Sequence, residues 1–248
     1  MLYYGARKSK LSSDAGIMIV KVVVFDLDGT IVEFNLDYKS ARAEVIQFLG
    51  YQGFPQSIFS LNESVFEMLK KLEIYLQNHH VRDKDYSELK MEVLAILERY
   101  EMQGAKSTQL VPGIFETLQA LKKMKIKLGI FTVNSKKSTE HVLSTFQLKP
   151  FFRAVITRDS VTIVKPNPIH LETALKLLRA KPEETIVVGD SIWDMKAAKE
   201  LNVYAVGVLT GVATAEELTR AGADCLISSP IDLIGLVQKL AEKAETGV

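Results

Sequence analysis

Asp26 and Asp28 stand one residue apart in Asp26-Leu27-Asp28-Gly29-Thr30, directly after the apolar run Val20–Phe25. Two carboxylates that close repel each other unless a cation sits between them, and Gly29 allows a tight turn behind them. Alone, the pentapeptide is equally a strand ending in a solvated acidic turn. Three further stretches shift that balance. Thr132-Val133-Asn134-Ser135 follows the apolar Gly129-Ile130-Phe131 and offers a hydroxyl and backbone N–H groups ahead of a helical segment. That is an anion cradle, although a plain Ser/Asn helix cap has the same composition. Lys165-Pro166-Asn167-Pro168 sets an ammonium before another helix, with Asn167 suited to the cap and Pro168 to the first turn; a lone lysine in such a loop is ordinarily solvated. Gly189-Asp190-Ser191-Ile192-Trp193-Asp194 delivers two more carboxylates, hard oxygen donors of the kind that suit magnesium.

The elements that must position these residues alternate along the chain. Val20–Phe25 is nearly continuous and β-branched, as a strand buried on both faces of a parallel sheet should be. Similar runs occur at Ile126–Phe131, Ala154–Ile156, Thr185–Val188, Tyr204–Val208 and Asp224–Ile227. Helical spacing fills the intervals at Ile114–Met124, Lys136–Phe146, Pro168–Leu178, Asp194–Leu201, Ala213–Ala221 and Leu233–Ala244. This rhythm predicts an α/β fold: a doubly wound, Rossmann-like parallel sheet with right-handed crossovers. Ligands then bind beyond the carboxyl ends of the strands, where all four polar stretches fall.

One segment breaks the alternation. Residues 34–107 show only amphipathic helical pattern, at Leu36–Leu49, Leu61–Gln77 and Tyr86–Met102, with Gly104–Thr108 closing the insert. The expected organisation is therefore a core of residues 18–33 and 108–248 with a small all-helical domain inserted at 34–107. Residues 1–17 are polar and basic without helical period, and are expected to be an extension with little structure ahead of a possible start at Met18.

Composition excludes several classes. Hydrophobic residues make up 47% and charged ones 25%, with 31 Lys plus Arg against 30 Asp plus Glu. That balance points to a globular protein without a surface built for nucleic acid or anionic membrane. The longest apolar run is interrupted by Lys21 and ends at Asp26, too short to span a bilayer. The single cysteine, Cys225, sits in an apolar run and reads as a buried small hydrophobe; with no disulfide possible within the chain, a cytoplasmic location is expected. His79, His80, His141 and His170 lack zinc-ligand spacing and are expected to be structural.

The four stretches together resemble the motifs of the haloacid dehalogenase superfamily: DLDGT, the Thr132 strand end, Lys165 and GDSxxD. The resemblance covers the chain from about Val20 onward, with the insert similar to that superfamily's helical cap. Val111-Pro112-Gly113-Ile114 and Val206–Gly211 resemble its phosphoglycolate-phosphatase-like branch. One departure is Val133, where many relatives carry Asn, with Asn134 one place later.

The resemblance implies a magnesium-dependent phosphatase acting on a small phosphorylated metabolite through an aspartyl phosphate, as a monomer or homodimer. Asp26 would be the nucleophile and Asp28 the acid and base. Thr132, Val133, Asn134 and Lys165 would bind the phosphoryl oxygens, and Asp26, Asp28, Asp190 and Asp194 would surround Mg2+, with Asp194 the weaker candidate. An acid at position 28 favours phosphate chemistry over dehalogenation. A phosphomutase of the β-phosphoglucomutase type uses the same acids, and a catalytically silent binding module is a third class. Arg42 shares a helix face with Tyr38 and is a candidate substrate contact, against the alternative of a surface arginine.

Overall fold

The computed structural model describes residues 18–79 and 85–246. The extension expected at residues 1–17, and His80, lie outside them. Within these limits the chain divides into two compact units. One carries all six strands and has its junctions at Phe34 and Thr108; the other is Asn35–Ser107.

In the first unit the strands are β1 (Val22–Phe25), β2 (Lys127–Phe131), β3 (Phe152–Ile156), β4 (Thr185–Gly189), β5 (Tyr204–Val208) and β6 (Cys225–Ile227). All pair in parallel, in the order β3-β2-β1-β4-β5-β6. Every residue of β1 and β4 is buried, which explains why both read as unbroken apolar runs without alternation. The connecting helices belonging to this unit, numbered with the whole chain, are α4 (Ile114–Lys123), α5 (Lys136–Thr145), α6 (Pro168–Leu178), α7 (Ile192–Glu200), α8 (Ala215–Ala221) and α9 (Asp232–Thr246). Leu171, Ala174, Leu175 and Leu178 of α6 and Met195 and Ala198 of α7 share one buried cluster with Val22, Val24, Val187 and Ala205 of the sheet. Helix α6 begins where the sequence places it, on Pro168 with Asn167 accepting from the Ile169 N–H at 3.0 Å. The sheet order reverses direction around β1 and β4, so the crevice between their carboxyl ends is the natural ligand position of this topology.

The second unit consists of α1 (Tyr38–Tyr51), α2 (Val65–Asn78) and α3 (Tyr86–Ser107). Its core joins Ala41, Val45 and Leu49 to Val65, Met68, Leu69 and Leu72 and to Leu89, Val93 and Leu97. A capping box starts α2, with Ser64 Oγ accepting from the Glu67 N–H and the Ser64 N–H donating to Glu67. The insert closes within Gly104–Thr108 as expected, but the helix expected to end at Met102 is corrected: α3 runs through Gly104 to Ser107. A Cβ at Gly104 would come within 3.1 Å of the Asn35 carbonyl, so glycine there serves close packing and not chain reversal.

No helix among the described residues is long and apolar enough to cross a membrane. Cys225 is buried in β6, and burial pushes its thiol pKa up.

Leu178 is 2% exposed against the sheet, and its neighbour Leu177 is 64% exposed. Leu178→Ala is expected to cost about 2–5 kcal/mol in urea unfolding, whereas Leu177→Ala should stay within about 0.5 kcal/mol. Equal costs would contradict the assignment of the α6 face.

Candidate active site at the carboxyl edge of the sheet

Asp26 is the first residue beyond β1 and extends the ladder, its N–H donating to the Val188 carbonyl at 2.9 Å. Thr132 does the same for β2, donating to Ile156 O at 2.8 Å. Because Phe25 is in register with both Val188 and Ile130, the residues leaving β1, β2 and β4 emerge at one level. Asp190 follows β4, and the loop after β3 carries Lys165. The parallel register, with no side-chain preference of its own, thus gathers the four polar stretches on one rim.

The centre is a buried ion cluster. Lys165 is 3% exposed, and its Nζ donates to Asp26 Oδ1, to Asp194 Oδ1 at 2.7 Å and to Phe131 O at 3.4 Å. Asp194 is fully buried. Its second oxygen accepts from the Ser191 N–H at 3.1 Å and the Ser191 hydroxyl at 2.6 Å, so both oxygens are engaged by protein. Asp190 Oδ2 accepts from the Val212 N–H at 2.7 Å. Asp26, Asp190 and Asp194 each offer an oxygen within 4.8 Å of the others.

Electrostatics follow from the count of charges. Burial pushes Asp26 up to about 6, with Asp194 adding to the shift and Lys165 opposing it. Burial also raises Asp190 well above the ordinary carboxylate range, reinforced by Asp26 and Asp194. For Lys165 burial disfavours the ammonium, yet Asp194 and Asp26 outweigh it and its pKa rises. One cation therefore faces three carboxylates, and Asp26 and Asp190 bear a burial cost to which their neighbouring carboxylates add. A hard oxygen set short of positive charge, with two acids held close, fits a divalent cation. Asp26 and Asp190 are the better side-chain ligands, since Asp194 is already committed to Lys165 and Ser191.

The remaining predicted residues divide. Thr132, Asn134 and Asp28 come together with one another, in the same unit as the cluster. The Thr132 hydroxyl accepts from the Asn134 N–H at 3.2 Å, and the Asn134 side-chain amide donates to Asp28 Oδ2 at 2.8 Å. Val133 contributes its carbonyl, which accepts from Arg158 Nη1 at 3.2 Å. Arg42 lies in the helical unit, where it is partly buried. Its Nη1 donates to Leu61 O at 2.9 Å, and the guanidinium carbon lies 4.5 Å from the Tyr38 ring centroid.

Several participants escape sequence reasoning. His170 is fully buried; its Nδ1 accepts from the Lys165 N–H at 3.2 Å, and burial pulls its pKa down to about 3, which keeps the ring neutral. The expectation of a structural histidine is thereby sharpened, because the structure it maintains is the Lys165 loop. The sequence places no site residue in the loop after β5, yet Val212 anchors Asp190 and Thr210 Oγ1 donates to Gly29 O at 2.6 Å. Space is equally specific. A Cβ on Gly211 would fall 1.9 Å from Asp190 Oδ2, one on Gly29 2.5 Å from the same atom, and one on Gly189 2.3 Å from Asp194 Cγ. Gly29 also has a φ of +75°. A glycine signal was present at each position, but only the fold shows which carboxylate fills the space.

With this geometry, comparison with known proteins is informative. The model of the haloacid dehalogenase-like hydrolase family matches residues 23–208, and the chain belongs to that family. A pyrophosphatase PpaX of Anoxybacillus flavithermus is 28% identical over 235 residues, covering 89% of this chain and 98% of the relative. A pyrophosphatase PpaX of Bacillus thuringiensis is 29% identical over 240 residues, covering 90% and 99%. Among solved structures, a hydrolase from Pseudomonas syringae superposes with a TM-score of 0.67 at 28% identity, covering 89% of this chain and 99% of the other. A predicted phosphoglycolate phosphatase from Haemophilus somnus shares the fold with a TM-score of 0.63 at 21% identity, covering 88% and 98%.

Because burial, reinforced by Asp26 and Asp194, disfavours the Asp190 carboxylate, neutralising it should stabilise the metal-free protein. Asp190→Asn in the presence of chelator is expected to raise the thermal midpoint by about 2–4 °C for each kcal/mol relieved. The same variant should lose the gain that a divalent cation gives the wild type. A midpoint at or below the wild type's in chelator would remove the charge-deficit argument.

Proposed function

We propose that this haloacid dehalogenase-like hydrolase is a magnesium-dependent phosphatase that cleaves a small phosphomonoester through a phosphoryl group carried on Asp26. The observation that carries this reading is the Lys165 ammonium shared between Asp26 and Asp194, with Asp190 in the same buried cluster. An acid at the end of β1 is held there, and positive charge stands next to where phosphoryl oxygens would arrive.

In this mechanism an Asp26 carboxylate oxygen attacks phosphorus, and the bond from phosphorus to the ester oxygen breaks. Asp28 gives its proton to the departing oxygen. It then takes a proton from the water that attacks the aspartyl phosphate, which regenerates Asp26 and releases phosphate. Such acid–base help is worth about 10²–10⁴-fold. Lys165, the Thr132 hydroxyl and the Val133 backbone N–H hold the non-bridging oxygens as charge shifts. Asp194 orients Lys165. Mg2+, bound by Asp26, Asp190 and the Asp28 backbone carbonyl, would supply charge that lets an anionic nucleophile meet an anionic substrate.

The named relatives favour a second substrate, inorganic pyrophosphate, in which the leaving group is itself a phosphate. Phosphoglycolate, which the likeness of Val111–Ile114 and Val206–Gly211 to the phosphoglycolate-phosphatase-like branch suggests, stands beside it, with other phosphorylated metabolites. A phosphomutase would use the same acids and return isomerised product instead of free phosphate. The silent-module alternative is disfavoured because the nucleophile, lysine and metal-binding acids are all present.

Asp26→Asn is expected to abolish magnesium-dependent phosphate release from p-nitrophenyl phosphate; turnover near that of the wild type would mean the nucleophile is misassigned. A panel containing pyrophosphate, phosphoglycolate, sugar phosphates and a bisphosphorylated sugar separates the substrate classes, and should rank at least one ester or anhydride well above p-nitrophenyl phosphate. Arg42→Ala is expected to change the ranking in that panel. An unchanged ranking would leave Arg42 as the link between Leu61 and Tyr38 within its own unit.

A further inference from the structure

Arg158 has no part in the chemistry above, yet it is a charged residue only 6% exposed and hydrogen-bonded to the Thr132–Ser135 loop. It opens the short 3-10 turn Arg158–Ser160, which Thr157 and Ser160 close with a reciprocal cap. Its backbone N–H donates to Asn134 O at 3.2 Å, and its Nη1 donates to Val133 O at 3.2 Å. The adjacent Asp159 accepts from the Lys136 N–H at 2.6 Å, at the first residue of α5. Arg158 Nε lies 3.9 Å from Asp159 Oδ1. Two consecutive residues after β3 thus grip carbonyl, carbonyl and amide of three residues after β2.

What this grip fixes is Asn134. Its N–H is bound to Thr132 Oγ1, its carbonyl to Arg158, and its side-chain amide donates to Asp28 Oδ2. Asp28 is partly exposed and precedes Gly29 at positive φ, a setting in which a carboxylate has several rotamers open to it. A hydrogen bond from a buried amide to one carboxyl oxygen selects one of them.

We infer that Asn134 is a positioning residue for Asp28, not a phosphate ligand, and that Arg158 and Asp159 hold it in place from the loop after β3. This rests on the proposal that Asp28 serves as the acid. It differs from the role that motif resemblance gives Asn134. A phosphate ligand would act on every substrate alike, because all share the phosphoryl group. A residue that aims the acid would matter most where the leaving oxygen needs its proton.

The test compares kcat/KM for p-nitrophenyl phosphate, whose leaving group departs readily as the anion, with that for phenyl phosphate, whose leaving group needs protonation. Asn134→Ala is expected to lose about tenfold more on phenyl phosphate than on p-nitrophenyl phosphate, a fraction of the full acid–base contribution. Arg158→Met, which keeps the aliphatic stem, should show the same imbalance to a smaller degree, and Arg158→Lys should recover part of it by donating one hydrogen bond to Val133 O. If Arg158→Met does not fold, by circular dichroism, Asn134→Ala decides alone. Equal losses on the two esters, or none, would overturn the inference while leaving the phosphatase reading intact. A wild type that hydrolyses neither ester, but whose Asp26-dependent turnover is found elsewhere in the panel, moves the comparison to two esters of that class; one that turns over nothing overturns both.

Discussion

Lys165 places an ammonium among buried carboxylates that would otherwise be intolerable together. Taking charges out of water is costly, and the cost is offset only where geometry and hydrogen bonds are good. Here Lys165 bridges Asp26 and Asp194, Ser191 satisfies the rest of Asp194, and Val212 supports Asp190. The compensation is still incomplete, and the raised affinities of Asp26 and Asp190 for protons express it. A cluster arranged for folding alone would gain by losing one acid. Its retention is understandable if a cation and a phosphoryl group divide the charge between them.

Room for such a cluster comes from absent side chains as much as from present ones. Gly29, Gly189 and Gly211 each stand where a methyl group would overlap Asp190 or Asp194. Two of them flank Asp190 from different loops, after β1 and after β5, so the carboxylate is threaded between backbones. His170 does comparable work for Lys165, accepting its backbone N–H from inside α6. The catalytic side chains are thus held by a layer of small or neutral residues whose own chemistry is unremarkable.

The sheet supplies precision that loops alone would lack. Asp26, Thr132 and Asp190 are each the first residue beyond their strand, so little chain remains in which their position can drift. Lys165 is brought in by the loop after β3 and Asp194 by the first turn of α7. The helical unit has a separate hydrophobic core and none of the acids of the cluster. The acids of the cluster therefore all belong to the unit that carries the sheet.

The order of elements was legible because burial on both faces writes itself into a strand as an unbroken apolar run. A helix over one face likewise appears as a 3.6-residue period. Pro168–Leu178 is an example in which the cap, the proline and the period all agree with α6. The acids at 26, 28, 190 and 194, the hydroxyl at 132 and the lysine at 165 stood out because each follows such a run. Helix ends were less legible: Gly104, a local stop signal, lies inside α3, where its missing side chain leaves room for the Asn35 carbonyl. The pairings needed the folded chain. Asp26 and Lys165 are 139 residues apart, Asp28 and Asn134 106, and Asp190 and Val212 22. The chain's local pattern determines which residues reach the rim, since burial and backbone preference act over a few residues. Which of them touch, which glycine clears which carboxylate and which way Asn134 turns are decided by strand register and loop packing, which act only once distant segments have met.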